Sequence, residues 1–479
     1  MMGTMIFDAI SYREYALKQP KSPRREMILS FLSFIESRLG MVAMYPLSGI
    51  PRGRLELVDP FAIAQKLKQK GIIKSFKRNK TRPDEPPYRL WQCLSEDSLG
   101  SKTSGMSLAS DADALYAALA EGLERYLWLM QWDYFDSPVH AKTSEMAARG
   151  VAYIAPERFS GFQDSRRSGA TSDDPYTWIL GDSLVSGKKM YIPAQTASGA
   201  QFPGIKDETL FRERSTNGLA TWPTRDGARL AGMLEIIERD AYMIMWLNQL
   251  SPSKIALDTH RAQSPSLNAL IEECALYRLK VHALALPTDA PTYAVCVVVE
   301  DLSDVAPRFA LGLKAHRSLA VSIEKALLEA LRARVSYRSS DKEIAAWNTD
   351  TPANKVGHKD RLFYWGLEKH AHQLEFLISG TEKEYTSQVW ENDSAEQHLA
   401  RLLEWCRRRS YECIAVPLGK SVMNPTQWHV ESVVMPDLQW MHLSEKSRVI
   451  TGKRLTEVPR ALGLSPRLKP FVDAPHPFY

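Results

Sequence analysis

Two short strings carry the same order of acids and bases: Glu121-Gly-Leu-Glu124-Arg125 and Glu235-Ile-Ile-Glu238-Arg239-Asp240. A third, Lys325-Ala-Leu-Leu-Glu329-Ala-Leu-Arg332-Ala-Arg334, sets a carboxylate among cations at comparable spacing. Hard divalent cations take carboxylate oxygens, and magnesium is typically held by a few of them together with phosphates. Guanidinium and ammonium groups nearby can neutralise those phosphates. Glu121, Glu124, Glu235, Glu238 and Glu329 are therefore candidate metal ligands, with Arg125, Arg239, Lys325, Arg332 and Arg334 as candidate phosphate contacts. The chemistry these patterns support is the handling of a magnesium-bound nucleotide.

Three long helices must position them, over residues 109–130, 226–250 and 318–337. On the first, Ala117, Glu121, Glu124 and Arg125 share one face, and Leu115, Leu119, Leu123, Tyr126 and Met130 the opposite one. An i, i+3 Glu pair followed by Arg is commonplace on helices and is usually solvated. The second helix departs from that pattern. Leu230, Met233, Leu234, Ile236, Ile237, Ala241, Met243, Ile244 and Met245 surround its acidic stripe, which predicts a buried helix and buried carboxylates. Acids buried without a cationic partner would be driven to protonate, so something positive belongs between them.

No Gly-rich nucleotide loop accompanies this site. Gly419-Lys420-Ser421 resembles the end of a P-loop, but Ile414 stands where its first Gly belongs, so it reads as a turn. His370-Ala-His372 lacks a nearby third ligand and reads as a surface pair. Cys93, Cys274, Cys296, Cys406 and Cys413 are scattered and odd in number, which suits buried thiols in a reducing cytoplasm.

Broad classes can be set aside. The 479 residues hold 61 Lys and Arg against 56 Asp and Glu, a net charge of +5 that does not call for nucleic acid. Apolar runs fall far short of the ~20 residues of a membrane span. The opening Met-Met-Gly-Thr-Met-Ile-Phe-Asp lacks a basic lead-in, so no secretory signal is expected.

Residues 1–95 read as an N-terminal helical, basic segment. They are apolar at helical spacing over 25–39, and basic from Lys66 to Arg82 before Pro83-Asp-Glu-Pro86-Pro87. That basic run reads first as a solvated face, and otherwise as a site for an acidic peptide or partner. From 96 onward helices mix with β-rich runs at 280–286, 293–300 and 430–435, an α+β domain of sheet layers against the three motif helices. Residues 155–210, rich in Gly, Ser, Asp and Pro, read as a long loop-rich connection. The repeated Glu-x-x-Glu-Arg suggests two similar halves facing one another.

Ser215-Thr-Asn217-Gly218-Leu219-Ala220 followed by Glu235-Ile-Ile-Glu238-Arg239-Asp240-Ala241 resembles the central signature of YcaO-domain proteins. Glu121-x-x-Glu124-Arg125 resembles their first motif, and Glu329 with Arg334 their third. Arg454-Leu-Thr-Glu-Val-Pro459 and Pro475-His476-Pro477-Phe478 resemble their proline-rich C-terminus. The likeness runs in order from about residue 95 to the end. It departs from the family's pattern at Ala117 (usually Ser), Lys325 (Arg), Arg332 (Gln), Trp222 (Gly) and Tyr479 (Pro), and the Lys of the glycine-rich lead-in is absent around Ser104-Gly105-Met106-Ser107.

The resemblance implies a YcaO-like fold and an ATP- and magnesium-dependent cyclodehydratase, which turns Cys, Ser or Thr of a ribosomal precursor peptide into thiazolines or oxazolines. It adds Asn217 to the nucleotide contacts and gives catalytic roles to His476 and the terminal carboxylate of Tyr479 in an extended tail. It implies a separate leader-recognition subunit, a flavin-dependent dehydrogenase, and a homodimer within a larger synthetase. Thioamide- or amidine-forming chemistry, or a non-catalytic scaffold, are the other readings it allows.

Overall fold

The computed structural model describes residues 59–479 apart from 109, 131–134, 136–137, 163–168, 203–204, 206–207, 420–425, 468–470 and 479. The helix expected over 25–39 lies outside the described residues, as do Lys420, Ser421 and Tyr479.

Helix α1 (Pro60–Gln69) starts where the Asp59 side chain accepts the Phe61 N–H and Pro60 presets the first helical φ. Strands β1 (Ile73–Asn79), β2 (Arg89–Ser95) and β3 (Lys102–Ser107) then form one antiparallel sheet. Residues 73–95 are thus largely strand rather than helix; Phe76, Leu90, Trp91 and Cys93 pack where a sheet face can bury them. Lys74, Lys77 and Arg78 are exposed on the edge strand β1, where charge discourages further strand pairing. The basic run is a solvated face there.

Helix α2 (Asp111–Met130) lies across β2 and β3, burying Leu115, Ala118, Leu119, Leu123 and Leu127 completely. Gly105 in β3 makes this approach possible: a Cβ there would stand 2.0 Å from the Ala114 carbonyl oxygen and 2.7 Å from the Ala118 nitrogen.

A second sheet runs β4 (Val139–Ala141), β5 (Tyr176–Ser183), β13 (Ile414–Leu418), β14 (His429–Val434) and β7 (Leu219–Trp222), with β6 (Lys189–Pro193) paired to β5. The connection expected to be loop-rich therefore contains a β5–β6 hairpin. The run Tyr176-Thr-Trp-Ile-Leu180 forms it despite its Gly- and Ser-rich flanks, because Tyr176, Trp178 and Ile179 bury completely.

Helix α3 (Arg225–Asn248) is capped by Thr224, whose hydroxyl accepts the Gly227 N–H. It is wedged between β7 and β14 on one side and β11 on the other. Met233, Ile237 and Ala241 are wholly buried; Met233 and Ile237 each contribute about 1.5–3 kcal/mol by burial.

The third sheet is ordered β11 (Phe309–His316), β10 (Tyr293–Asp301), β9 (Leu279–Ala285), β8 (Ser253–Ile255) and β12 (Glu382–Lys383). Helix α4 (Leu319–Arg338) packs on β10 and β11. Gly312 repeats the device of Gly105: its Cβ would stand 2.1 Å from the Ala326 carbonyl oxygen and 2.4 Å from the Ala330 nitrogen. Helices α5 (Asp360–Gly366) and α6 (Arg454–Ala461) complete the framework of the site. No helix among the described residues is long and apolar enough to cross a membrane.

Candidate active site

The motif glutamates share one arrangement: a peptide N–H in a strand, or in the case of Gly218 just before one, holds one oxygen of each of four. Thr221 donates to Glu124 Oε1 at 2.7 Å and Gly218 to Glu235 Oε2 at 2.7 Å. Ala315 donates to Glu238 Oε2 at 2.7 Å and Leu313 to Glu329 Oε2 at 2.8 Å. Helix α3 thus sends Glu235 toward β7 and Glu238 toward β11, joining the acids of α2 to the acid of α4. Close packing of helix on strand, which Gly312 permits for α4, brings such carboxylates within reach of the main chain.

The other oxygens divide the set. Arg239 Nη2 meets Glu235 Oε1 at 2.6 Å, and Arg332 Nη2 meets Glu329 Oε1 at 3.2 Å. Glu121 has both oxygens engaged, Oε1 by Arg125 at 3.3 Å and Oε2 by Arg332 at 3.5 Å. Glu124 Oε2 and Glu238 Oε1 accept no hydrogen bond among the described residues.

Those two acids are also the most perturbed. Desolvation, reinforced by Glu121 and Glu235, pushes Glu124 up to about 8. Desolvation, with Glu329 and Glu235 adding to it against Lys314, pushes Glu238 up to about 7. A divalent cation would relieve both, since it favours the charged form that burial disfavours. The donor set therefore fits magnesium. Buried orphan atoms beside it, Asn217 Oδ1 and Arg239 Nε, suit a polar ligand. Asn217 itself is fixed by donating from Nδ2 to the Met441 carbonyl at 3.1 Å.

Arg125 reaches Thr216 Oγ1 at 2.8 Å as well as Glu121, which keeps it at the site. Lys325 stands one turn before Glu329 and is exposed. Arg334 does not join them. It is buried, with Nε on Glu85 at 3.1 Å and Nη2 on Asp301 at 2.6 Å, so its expected phosphate contact is replaced by a structural ion-pair role.

The tail is seated on α3. Trp246 donates from Nε1 to the Ala474 carbonyl and Trp365 to that of Pro475. Tyr242, four residues after Glu238 and so on the same helix face, packs against His476 and Phe478 at 5.8 and 5.9 Å between ring centroids. His476 is buried and donates from Nε2 to the His442 carbonyl at 2.7 Å, a carbonyl that also accepts Arg361 Nη2 at 3.2 Å. Burial, with Arg361 and His442 beside it, holds His476 far below the ordinary imidazole range. Its ring is neutral, and Nδ1 is an acceptor with no partner among the described residues.

His442, Glu445 and His476 together offer a two-His, one-carboxylate donor set. Glu445, however, already receives Arg361 at 2.8 Å and His442 at 3.2 Å, with Arg448 at 3.6 Å. Cations on that carboxylate make the cluster a socket for the tail rather than for a metal. Arg361, His442, Glu445, Thr216 and Lys314 are residues that sequence reasoning missed. A lone Arg361 inside an aromatic helix offered the sole hint, as a cation expected to bury and find a partner.

The described fold is shared with solved structures. A heterocyclase in complex with substrate and cofactor aligns over 91% of this chain and 59% of its own, with a TM-score of 0.67 and 19% identity. YcaO from Methanopyrus kandleri, bound with AMPPCP and Mg2+, aligns over 86% of this chain and 98% of its own, with a TM-score of 0.63 and 16% identity. The E. coli microcin synthetase McbBCD complex with pro-MccB17 bound aligns over 79% and 94%, with a TM-score of 0.57 and 13% identity. An uncharacterised protein of Methanothermobacter thermautotrophicus is 26% identical over 168 residues, 35% of this chain and 43% of that relative. The chain therefore spans under half the length of that curated relative. Residues 107–439 match the family model described as YcaO cyclodehydratase, ATP- and Mg2+-binding. The chain belongs to the YcaO family.

Proposed function

We propose that this protein is an ATP-dependent cyclodehydratase acting on backbone amides of a ribosomally made peptide. The observation that carries the reading is the pair of open oxygens, Glu124 Oε2 on α2 and Glu238 Oε1 on α3, the second on a helix whose next turn seats the C-terminal tail. ATP bound with Mg2+ supplies the phosphoryl group that makes an amide oxygen able to leave. In the peptide, a Cys, Ser or Thr heteroatom adds to the preceding carbonyl carbon, and the oxygen departs as phosphate. The amide proton is lost as the ring C=N bond forms, so one water is removed in total.

Glu124 and Glu238 would hold the metal through their open oxygens, with Glu235 beside them held by Arg239 and the Gly218 N–H, while Arg125, Arg239 and Asn217 would orient the nucleotide. His476 would present Nδ1 as a fixed acceptor near the reacting amide, with the Tyr479 carboxylate beyond it. The catalytic domain would be residues 96–479, buttressed by the strands of 73–95, with the N-terminal segment facing a partner. A leader-recognition subunit, a flavin-dependent dehydrogenase and self-association are the partners this reading calls for, in a reducing cytoplasm consistent with five free, buried thiols.

The test combines the protein, its partner subunit and a candidate precursor peptide. Mass spectrometry should show one water lost per ring only with ATP and Mg2+, and Glu235→Gln should abolish it. Loss of water without ATP would refute the proposal; replacement of oxygen by sulfur would reassign it to thioamide formation.

A further inference from the structure

We propose that the Arg332 guanidinium stands in for one divalent cation at the point where Glu121 and Glu329 converge. This rests on the ATP–magnesium reading above and narrows which acids serve it. Glu121 comes from α2 and Glu329 from α4, and Arg332 binds both, at 3.5 and 3.2 Å. Its Nη1 also donates to the Ser104 carbonyl at 3.1 Å, so three separate elements hold the guanidinium at the junction. The position is one where the YcaO pattern carries a neutral Gln.

Two facing carboxylates need a positive charge between them, which either a metal or a guanidinium can supply. A guanidinium is planar, permanently charged and weakly hydrated, and spans two carboxylates with separate N–H groups. Magnesium demands oxygens at ~2.0–2.1 Å in near-octahedral array. Glu121 cannot offer one freely, because Arg125 holds Oε1 and Arg332 holds Oε2. Arg332 likewise covers Glu329 Oε1 while the Leu313 N–H covers Oε2. Glu235 is covered in the same way, by Arg239 on Oε1 and the Gly218 N–H on Oε2, so the acids left with an open oxygen for metal are Glu124 and Glu238. Arg332 is then a positioning residue: it fixes α2 to α4 and lowers the number of cations that accompany the nucleotide.

The experiment counts metal rather than turnover. The full chain is saturated with AMPPCP and titrated with Mn2+, free Mn2+ being followed by electron paramagnetic resonance. Arg332→Gln should bind one more Mn2+ per nucleotide complex than the unaltered protein. Glu124→Gln should bind one fewer, whereas Glu121→Gln should leave the count unchanged. Equal counts for Arg332→Gln and the unaltered protein, or a Glu121→Gln loss equal to that of Glu124→Gln, would overturn the assignment. AMPPCP binding by the unaltered protein with no Mn2+ dependence would overturn the ATP–magnesium reading itself.

Discussion

Asp240 and Arg454 are joined by a buried two-pronged ion pair, Nε to Oδ1 and Nη2 to Oδ2, both at 2.7 Å. Arg454 Nη2 also reaches Asp289 at 2.8 Å, and the Gln439 N–H donates to Asp240 at 2.7 Å. The pair fastens α6 to the motif helix two residues past Glu238, and so fixes where the tail begins. Arg454→Met should cost about 3–5 kcal/mol, because it leaves a carboxylate buried without its partner. Denaturant unfolding measures this. Asp240→Asn combined with Arg454→Met should be less damaging than Arg454→Met alone.

Stability should depend on pH through Glu124 and Glu238. Their carboxyls rise from 4.5 to about 8 and about 7 in the folded protein. Between those limits the folded state holds protons that the unfolded chain has released, so raising the pH favours unfolding. The metal-free, nucleotide-free protein should therefore melt at progressively lower temperature across that window. Mg2+ with AMPPCP binds the deprotonated acids, so its stabilisation should grow across the same window. Thermal scans showing rising metal-free stability there would contradict the site.

His476 can be separated from nucleotide binding. His476→Ala should reduce ring formation by on the order of 10²-fold while leaving AMPPCP affinity unchanged. His476→Gln, which can still donate to the His442 carbonyl, should retain the tail's seating and part of the rate. Calorimetry and single-turnover mass spectrometry distinguish these cases.

The strand glycines test the helix–strand contact. Gly105→Ala and Gly312→Ala place a Cβ 2.0 and 2.1 Å from a helix carbonyl, and each should cost about 1–3 kcal/mol or more. Gly71, at φ +67° with nothing within 4 Å, serves as the comparison, where Gly71→Asn should be mild. Melting temperatures of the three variants check the ranking.

The three helices, and the placement of the five acids on them, were legible because i, i+3 spacing and an apolar surround are local patterns. The partners of those acids were not. Gly218, Thr221, Leu313 and Ala315 contribute a peptide N–H, which no side chain announces. Arg334 misled for a geometric reason: five residues beyond Glu329 is about 140° around a helix, so it leaves the acidic face for Glu85. The tail socket joins Arg361 to His442 and Glu445, more than 80 residues away in sequence, where no periodicity can reveal it. The β5–β6 hairpin was hidden by the Gly- and Ser-rich composition around it.

The peptide N–H groups that hold Glu124, Glu235, Glu238 and Glu329 have a consequence for how this sequence can vary. A side-chain partner can be lost by changing one codon, whereas the backbone donors of Thr221, Leu313 and Ala315 do not depend on side-chain identity, proline excepted; Gly218, at φ +85° with a Cβ position 2.2 Å from the Val433 carbonyl oxygen, must stay glycine. One oxygen of each of these acids thus takes its orientation from the path of the main chain. Positions such as Ala117 and Lys325 can change identity without removing a backbone donor from the carboxylate frame, and a change at Arg332 alters metal demand while leaving the peptide N–H groups in place. Directed evolution of the site can therefore explore these positions first.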